Sequence, residues 1–204
     1  MYKRRGIYII TRRGEVNIVE SLLMWEAVLI FIKFAENIED MEDIRFVDAG
    51  MDADDIAEIN AWYVENSTAI FDTVPLSGEE MMRKIDRFVE EGFPYFVYVK
   101  EGVLEGYCYA HPWKEKRAYY PTWETTIYLR PGKEGEGIGR RLMDRLEEEC
   151  RERGCHSLIA CITAENEGSC RFHEKRGFQR VSYFKEVGEK YGRLLDVVDY
   201  QKIL

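Results

Sequence analysis

Three alternating glycines, Gly135, Gly137 and Gly139, form the segment of this chain whose spacing points most directly to chemistry. Glycine adopts unusual backbone dihedrals and lets a ligand approach the main-chain amides closely. Where such a loop opens a helix, the unpaired N–H groups and the partial positive charge of the helix N-terminus favour a phosphate group. Spaced glycines also occur in simple tight turns. The pattern therefore leaves two interpretations, a phosphate-binding loop and a turn.

The elements around this loop are a strand before it and a helix after it. Alternation places Trp123, Thr125, Ile127 and Leu129 on one face of a strand over 122–129, and Glu124, Thr126 and Tyr128 on the other. Beyond the loop, Ile138, Leu142, Leu146 and Cys150 recur every four residues, which is one helix face ending near Gly154. Similar patterns predict strands at 44–47, 95–100, 103–110 and 157–162, helices at 52–66, 77–91 and 166–176, and two final strands flanking a loop at 188–192. Ser77 and Glu80 have the spacing of a capping box at the start of the helix over 77–91. This order predicts one α/β domain with a mixed sheet.

Composition narrows the class of protein. The 204 residues are 46% hydrophobic and 33% charged, enough for one domain with a core. The net charge of −9 argues against a nucleic-acid-binding surface, which needs a basic footprint. The five cysteines include no CxxC pair, which predicts reduced thiols in a cytoplasmic protein. The three histidines lack ligand-like spacing, so we expect no metal site.

The first forty residues differ in pattern from the rest of the chain. Early basic residues precede an apolar run over 18–34, which Glu20, Glu26 and Lys33 interrupt. Charges within a short run argue against stable membrane insertion. We interpret 1–43 as a helical N-terminal extension that packs on the domain over 44–204 or on a second subunit. The alternative is that translation begins at Met41, which the mass of the natively expressed protein would decide.

Two longer segments, the glycine loop over 131–141 and the run from Ala164 to Phe178, together resemble the GNAT superfamily of acyl-CoA N-acyltransferases. The resemblance covers nearly all of 44–204. Two further segments, 67–73 (STAIFDT) and 113–119 (WKEKRAY), are similar to the phosphinothricin and methionine sulfone or sulfoximine N-acetyltransferase branch. The resemblance implies the GNAT fold, a mixed and mostly antiparallel twisted sheet flanked by helices. It also implies acetyl-CoA as co-substrate, a small-molecule amine as acceptor and a homodimer.

The resemblance also implies which residues hold acetyl-CoA. They come from the strand end, the glycine loop and the following helix, and from the start of the next helix: Ile127, Tyr128, Leu129, Glu134, Gly135, Glu136, Gly137, Ile138, Gly139, Arg140, Asn166 and Ser169. Relatives usually carry arginine or glutamine where Glu134 stands, and often a basic residue in place of Glu136. Two carboxylates beside a pyrophosphate repel it, so we expect weaker CoA binding or side chains that point to solvent.

For catalysis, the resemblance places Glu124 where the branch uses a carboxylate base, because an α-ammonium must lose a proton before it can attack. His173 stands where many relatives carry a tyrosine general acid and where this branch carries histidine. An imidazole there could relay a proton or orient the amine. By residue type alone, a strand glutamate such as Glu124 is more often solvated and a lone helix histidine such as His173 is more often structural. The resemblance puts the catalytic interpretation ahead for both.

For the acceptor, the matching segments carry Phe71, Thr73, Trp113, Lys114, Arg117 and Tyr119. Lys114 and Arg117 suit an anionic amino acid, although a solvated loop explains them equally well. Asp72 stands where some phosphinothricin-specific relatives carry arginine, which favours the broader methionine sulfone or sulfoximine type. We therefore expect acetylation of an amino-acid α-amine by direct attack in a ternary complex, with backbone N–H groups near 127–129 polarising the thioester and no cysteine in the motif. The alternatives are another amine, such as a protein N-terminus or a polyamine, or a non-catalytic acyl-CoA sensor.

Overall fold

Residues 42–204 are the part of the chain that the computed structural model describes. The predicted extension over 1–43 lies outside it, except for Glu42 and Asp43, which begin the first strand. Within the described residues the strands are β1 (Glu42–Phe46), β2 (Tyr95–Lys100), β3 (Val103–Pro112), β4 (Thr122–Leu129), β5 (Ser157–Thr163), β6 (Gln179–Arg180), β7 (Phe184–Lys190) and β8 (Arg193–Ile203). The helices are α1 (Ala49–Asn66), α2 (Gly78–Glu90), α3 (Ile138–Glu152) and α4 (Glu167–Lys175), with one 3-10 turn at Arg117–Tyr119.

The eight strands form one sheet in the order β1-β2-β3-β4-β5-β8-β6, and β7 also pairs with β8. Only β4 and β5 run parallel, and every other pair is antiparallel. This confirms the predicted α/β architecture with a mixed, mostly antiparallel sheet. None of the helices in this part of the chain combines the length and apolarity needed to cross a bilayer.

The parallel pair β4–β5 is the feature of the sheet that matters most for the site. Backbone pairing runs only from Thr122 opposite Ser157 to Glu124 opposite Ile159. Beyond Glu124 the two strands no longer pair, although β4 continues to Leu129 and β5 to Thr163. Unpaired strand edges leave main-chain N–H and C=O groups available to a ligand. The sheet therefore opens immediately after Glu124.

Helices cover both faces of this sheet. The ring of Phe88 on α2 stacks on Tyr109 of β3 at 5.3 Å between centroids, so α2 covers the Tyr109 face. The neighbouring Cys108 points the other way, where its thiol lies 3.5 Å from the Leu142 carbonyl oxygen of α3. Glu124 and Tyr128 share the Tyr109 face, because each lies opposite an odd-numbered residue of β3.

Signals from residues close together in sequence predicted most of the helix and strand boundaries. The structure confirms the capping box, in which Ser77 and Glu80 satisfy each other's backbone N–H groups at the start of α2. The predicted loop at 188–192 is wrong at its start, since Gly188 lies inside β7. The turn is Tyr191–Gly192, where both residues have positive φ. The two-residue strand β6 was not predicted, because two residues show no periodicity.

Candidate active site

Two adjoining cavities lie at the opening between β4 and β5. The larger has a volume of about 780 Å³ and extends along the glycine loop and the start of α4. The smaller, about 390 Å³, lies over the middle of β4 and contains Glu124. Their shared walls are Ala69, Ile127, Tyr128, Asn166 and Ser169. The two cavities therefore form one continuous cleft with a larger and a smaller chamber.

The glycine loop forms one wall of the larger cavity. Gly135 and Gly137 adopt φ of +87° and +84°, which side-chain-bearing residues rarely reach. Gly137 is the N-cap of α3 and offers no capping side chain, so the amides of the first turn keep their donor capacity. Amides with free donor capacity at a helix start suit an anion.

Most residues expected to hold acetyl-CoA line this cavity. They are Ile127, Tyr128, Leu129, Glu134, Gly135, Gly137, Gly139, Arg140, Asn166 and Ser169. Ile138 does not: its side chain is 2% exposed and packs in the core, because it begins the apolar stripe of α3. Glu136 also lies outside the lining and is exposed. Asn166 has a structural role as well, since its side chain accepts a hydrogen bond from the Ser169 N–H at 3.1 Å.

Glu134 and Glu136 differ in placement. Glu134 lines the larger cavity, and its Oε2 accepts a hydrogen bond from the Gly132 N–H at 3.0 Å. Of the two outcomes expected from sequence, solvent exposure describes Glu136, whereas the Glu134 carboxylate stands at the cavity wall. An anion bound beside the glycine loop would meet the Glu134 carboxylate.

Glu124 lies in the smaller cavity, at the last position of β4 that pairs with β5. Burial raises the pKa of its carboxyl to about 7, and the nearby Asp199 carboxylate adds to the effect. A carboxylate with this pKa is substantially ionised at neutral pH and still basic enough to take a proton from an ammonium group. The geometry favours a general base over a solvated strand glutamate.

His173 on α4 also lines the smaller cavity and is 3% exposed. Its Nδ1 lies 2.9 Å from the Ser169 carbonyl oxygen. Because a carbonyl only accepts, Nδ1 carries the proton and Nε2 is left as an acceptor. Burial lowers the pKa of the imidazole, so the neutral ring dominates at pH 7. His173 is therefore suited to orient an amine or a water molecule rather than to act as an acid.

Cys161 is a cavity residue that no sequence pattern had indicated. It lies in the smaller cavity, two positions along β5 from the partner of Glu124 and opposite Asp199 of β8. Burial, with the carboxylates of Glu124 and Asp199, raises the pKa of its thiol to about 12. A thiol that stays protonated is a poor nucleophile. The pairing register of β5 with β4, which the sequence does not show, is the information that places Cys161 in this cavity.

The predicted acceptor residues divide into two groups. Phe71 lines the smaller cavity, while Thr73, Trp113, Lys114, Arg117 and Tyr119 line neither cavity. Lys114 Nζ instead lies 4.0 Å from the Trp113 ring centroid and 5.3 Å from that of Tyr119. This cation–π cluster follows the end of β3, beyond the residues that face the cleft. Within one chain, the fold does not bring it to Glu124.

The loop carrying Phe71 is held by β7, a support that no sequence signal indicated. Lys190, 4% exposed, donates from Nζ to the carbonyl oxygens of Ser67 and Ile70, each at 2.8 Å. A Cβ at Gly188 would clash with the ring of Phe71, so only glycine lets that ring pack on β7. The wall of both cavities thus depends on the final hairpin.

A sequence model described as the Acetyltransferase (GNAT) family matches residues 55–178. The chain belongs to this family. The described part of this GNAT chain holds no group of three or more His, Cys, Asp or Glu side chains able to bind a metal ion. Its fold, with the sheet opening beside the glycine loop, is that of the acetyltransferases.

The GNAT chain is similar to two curated enzymes with related names. It is 35% identical to a phosphinothricin N-acetyltransferase from Alcaligenes faecalis, over 73% of this chain and 76% of that one. It is 32% identical to an L-methionine sulfoximine/L-methionine sulfone acetyltransferase from Salmonella typhimurium, over 78% and 92%. A crystal structure of a phosphinothricin acetyltransferase from Sinorhizobium meliloti in complex with acetyl-CoA superposes with a TM-score of 0.77 at 33% identity, covering 80% of this chain and 88% of that one.

Proposed function

We propose that this GNAT enzyme transfers the acetyl group of acetyl-CoA to the α-amine of a small amino-acid analogue of the methionine sulfone, methionine sulfoximine or phosphinothricin type. The observation that carries the proposal is the position of Glu124. Glu124 lines the smaller cavity, which adjoins the larger one, and its carboxyl has a pKa of about 7. The names of the similar enzymes support the acceptor class, and the Sinorhizobium complex supports acetyl-CoA.

In the proposed mechanism the larger cavity holds acetyl-CoA, with its pyrophosphate at the first-turn amides of α3. The acceptor ammonium occupies the smaller cavity, where the Glu124 carboxylate removes a proton and becomes a carboxylic acid. The free amine nitrogen attacks the thioester carbonyl carbon, and the backbone N–H groups at 127–129 stabilise the developing oxyanion. The carbon–sulfur bond then breaks, the CoA thiolate takes up the second proton that the nitrogen loses as the amide forms, and Glu124 returns its own proton to solvent. His173 Nε2 accepts a hydrogen bond that orients the amine.

An acceptor panel tests the proposed function. Thiol release from acetyl-CoA is measured with methionine sulfone, methionine sulfoximine, phosphinothricin and spermidine as acceptors. We expect turnover on at least one of the three amino-acid analogues. Turnover on spermidine alone would replace the proposal with a polyamine acetyltransferase, and CoA binding without any turnover would favour a sensor.

Direct transfer predicts that the protein itself is not acetylated. Although Cys161 lies in the cavity, its raised pKa keeps the thiol protonated and unreactive. Incubation with acetyl-CoA alone should therefore leave the intact mass of the protein unchanged. A stoichiometric acetyl adduct that disappears on addition of acceptor would contradict direct transfer, and loss of that adduct in Cys161→Ser would identify the nucleophile.

Glu134 offers a test of the proposed cofactor position. Glu134→Gln removes the carboxylate that the glycine loop places at the wall of the larger cavity, so acetyl-CoA affinity should rise about three- to tenfold, with a weaker gain at high salt. Glu136→Gln is the matched control, because it removes the same charge two residues away but outside the lining. Calorimetric titration gives the acetyl-CoA affinity of both variants. An equal gain in affinity in the two variants, or no gain in either, would argue against a pyrophosphate beside Glu134.

We further infer a cytoplasmic homodimer. The cytoplasmic location is supported by the free thiols of all five cysteines. The dimer is supported by exposed large apolar side chains in 181–194, namely Val181, Tyr183, Phe184, Val187, Tyr191 and Leu194. Several large apolar side chains exposed within one short stretch of the chain are typical of an interaction site. Light scattering after size exclusion should give the mass of two chains, and a monomer mass at micromolar concentration would contradict the inference.

A further inference from the structure

We propose that Lys84 of α2 binds the carboxylate of the acceptor and gives the enzyme its preference for α-amino acids over amines that lack a carboxylate. This inference rests on the proposed function and assigns the acceptor-binding role to a residue outside the segments that suggested it from sequence. Lys114 and Arg117 carried that expectation, yet neither lines the cavity that contains Glu124.

Lys84 is the fixed positive charge of the smaller cavity. Of the described residues that line it, no other is a lysine or an arginine. Of the two histidines there, His173 is buried and His111 is half-buried, and desolvation lowers the pKa of each ring. A neutral imidazole cannot balance a substrate carboxylate as an ammonium group can. Any anionic group of an acceptor in this chamber therefore meets one cation.

The helix holds Lys84 in this position. Met81, Ile85 and Phe88 form the buried face of α2 on the sheet, and Lys84 borders that face at half burial. Its Nζ lies 5.4 Å from the ring centroid of Tyr109, so the aliphatic stem follows an aromatic wall toward the chamber.

No carboxylate among the described residues lies within ion-pair distance of the Lys84 ammonium. The preceding residue, Arg83, behaves differently: it points to solvent and pairs with Glu79 one turn earlier. An ammonium that borders a cavity without a carboxylate partner is placed to receive the anion of a ligand.

The sheet register sets the spacing between Glu124 and the strand position beneath Lys84. Glu124 lies opposite His111, and Thr126 lies opposite Tyr109, the residue under Lys84. Two residues along a strand correspond to roughly 6.5 Å on the same face. An α-amino acid carries its amine and carboxylate on the same carbon atom, and a hydrogen bond at each end adds about 2.8 Å. One acceptor molecule can therefore span Glu124 and Lys84.

The test compares two acceptors that differ only in this carboxylate, methionine sulfone and its neutral carboxamide. In Lys84→Met, kcat/KM for the acid should fall roughly 10- to 100-fold, mainly through KM, because a charge-assisted hydrogen bond is lost. For the carboxamide the change should stay within about twofold. The wild-type preference for the acid therefore collapses, and Lys84→Arg should restore part of it. Arg83→Met, one residue away on the solvent face, should leave the preference unchanged.

Two results would overturn the inference while leaving the proposed function in place. One is an equal loss on the acid and the carboxamide in Lys84→Met, which indicates a structural role for Lys84. The other is a collapsed preference in Lys114→Met with none in Lys84→Met, which assigns the carboxylate to the cation–π cluster. Failure of the proposed function is distinct from both, because the wild-type enzyme would then acetylate neither acceptor.

Discussion

Glu124→Gln should lower kcat roughly 10²- to 10⁴-fold, the range expected for loss of a general base, while acetyl-CoA affinity changes by less than about twofold. Glutamine keeps the shape of the side chain and its hydrogen-bonding capacity but cannot take the proton from the acceptor ammonium. The effect should appear in kcat and not in cofactor binding, since Glu124 lines only the smaller cavity. Steady-state rates and a cofactor titration on the same preparation measure both quantities.

The role of Glu124 as a base also predicts the direction in which activity changes with pH. The base works in its ionised form, so wild-type activity should fall as pH drops through the Glu124 pKa of about 7 and level off above it. Asp199→Asn removes a neighbouring carboxylate that raises this pKa, so its acidic limb should move to lower pH. Two results would contradict a role for Glu124 as the base. One is a near wild-type rate in Glu124→Gln, and the other is an acidic limb at the same pH in Asp199→Asn and in the wild type.

Gly137→Val should raise the dissociation constant of acetyl-CoA by roughly 30-fold or more. Gly137 has a φ of +84°, and a β-branched residue in that conformation is strained by about 1–3 kcal/mol. The loop should relieve the strain by moving, which turns the first amides of α3 away from the pyrophosphate. Calorimetric titration with acetyl-CoA gives the affinity, and thermal unfolding gives the stability.

The control for this variant lies beyond the other end of the same helix. Gly154 follows α3 with a φ of +82°, and a Cβ there meets no heavy atom within 4 Å, as at Gly137. Gly154→Val therefore introduces comparable backbone strain far from the cleft. It should lower stability and leave acetyl-CoA affinity unchanged. If Gly137→Val loses stability alone, with cofactor affinity intact, the glycine loop is only a turn.

Short-range patterns carried most of the fold prediction. The bounds of β4, the capping box at Ser77 and the glycine stop after α3 follow from residues that contact one another within a few positions. Such signals are strong because hydrogen bonding and periodicity are local. The same holds for the glycine loop, whose positive φ values are a property of the individual residues.

The residues that line the smaller cavity are brought together by contacts between segments that lie far apart in sequence. Lys84 and Cys161 reach it from α2 and β5, and Lys190 supports its wall from β7. No periodicity joins these residues, since their proximity is set by the sheet register and by where β4 and β5 stop pairing. In the 113–119 segment the residue types suggested binding of an anionic acceptor. In the structure, Lys114 instead contacts the aromatic rings of Trp113 and Tyr119.

Direct reaction of acetyl-CoA with an α-amino acid beside Glu124 is the step on which the proposed mechanism depends. The measurement that tests it most directly mixes both substrates with wild-type protein and with Glu124→Gln, and follows free thiol together with N-acetylated methionine sulfone by mass spectrometry. We predict equal amounts of thiol and acetylated amino acid from the wild type, and at least a roughly 100-fold slower appearance of both from the variant. Thiol release without the acetylated amino acid, or equal product from both proteins, would contradict direct transfer assisted by Glu124.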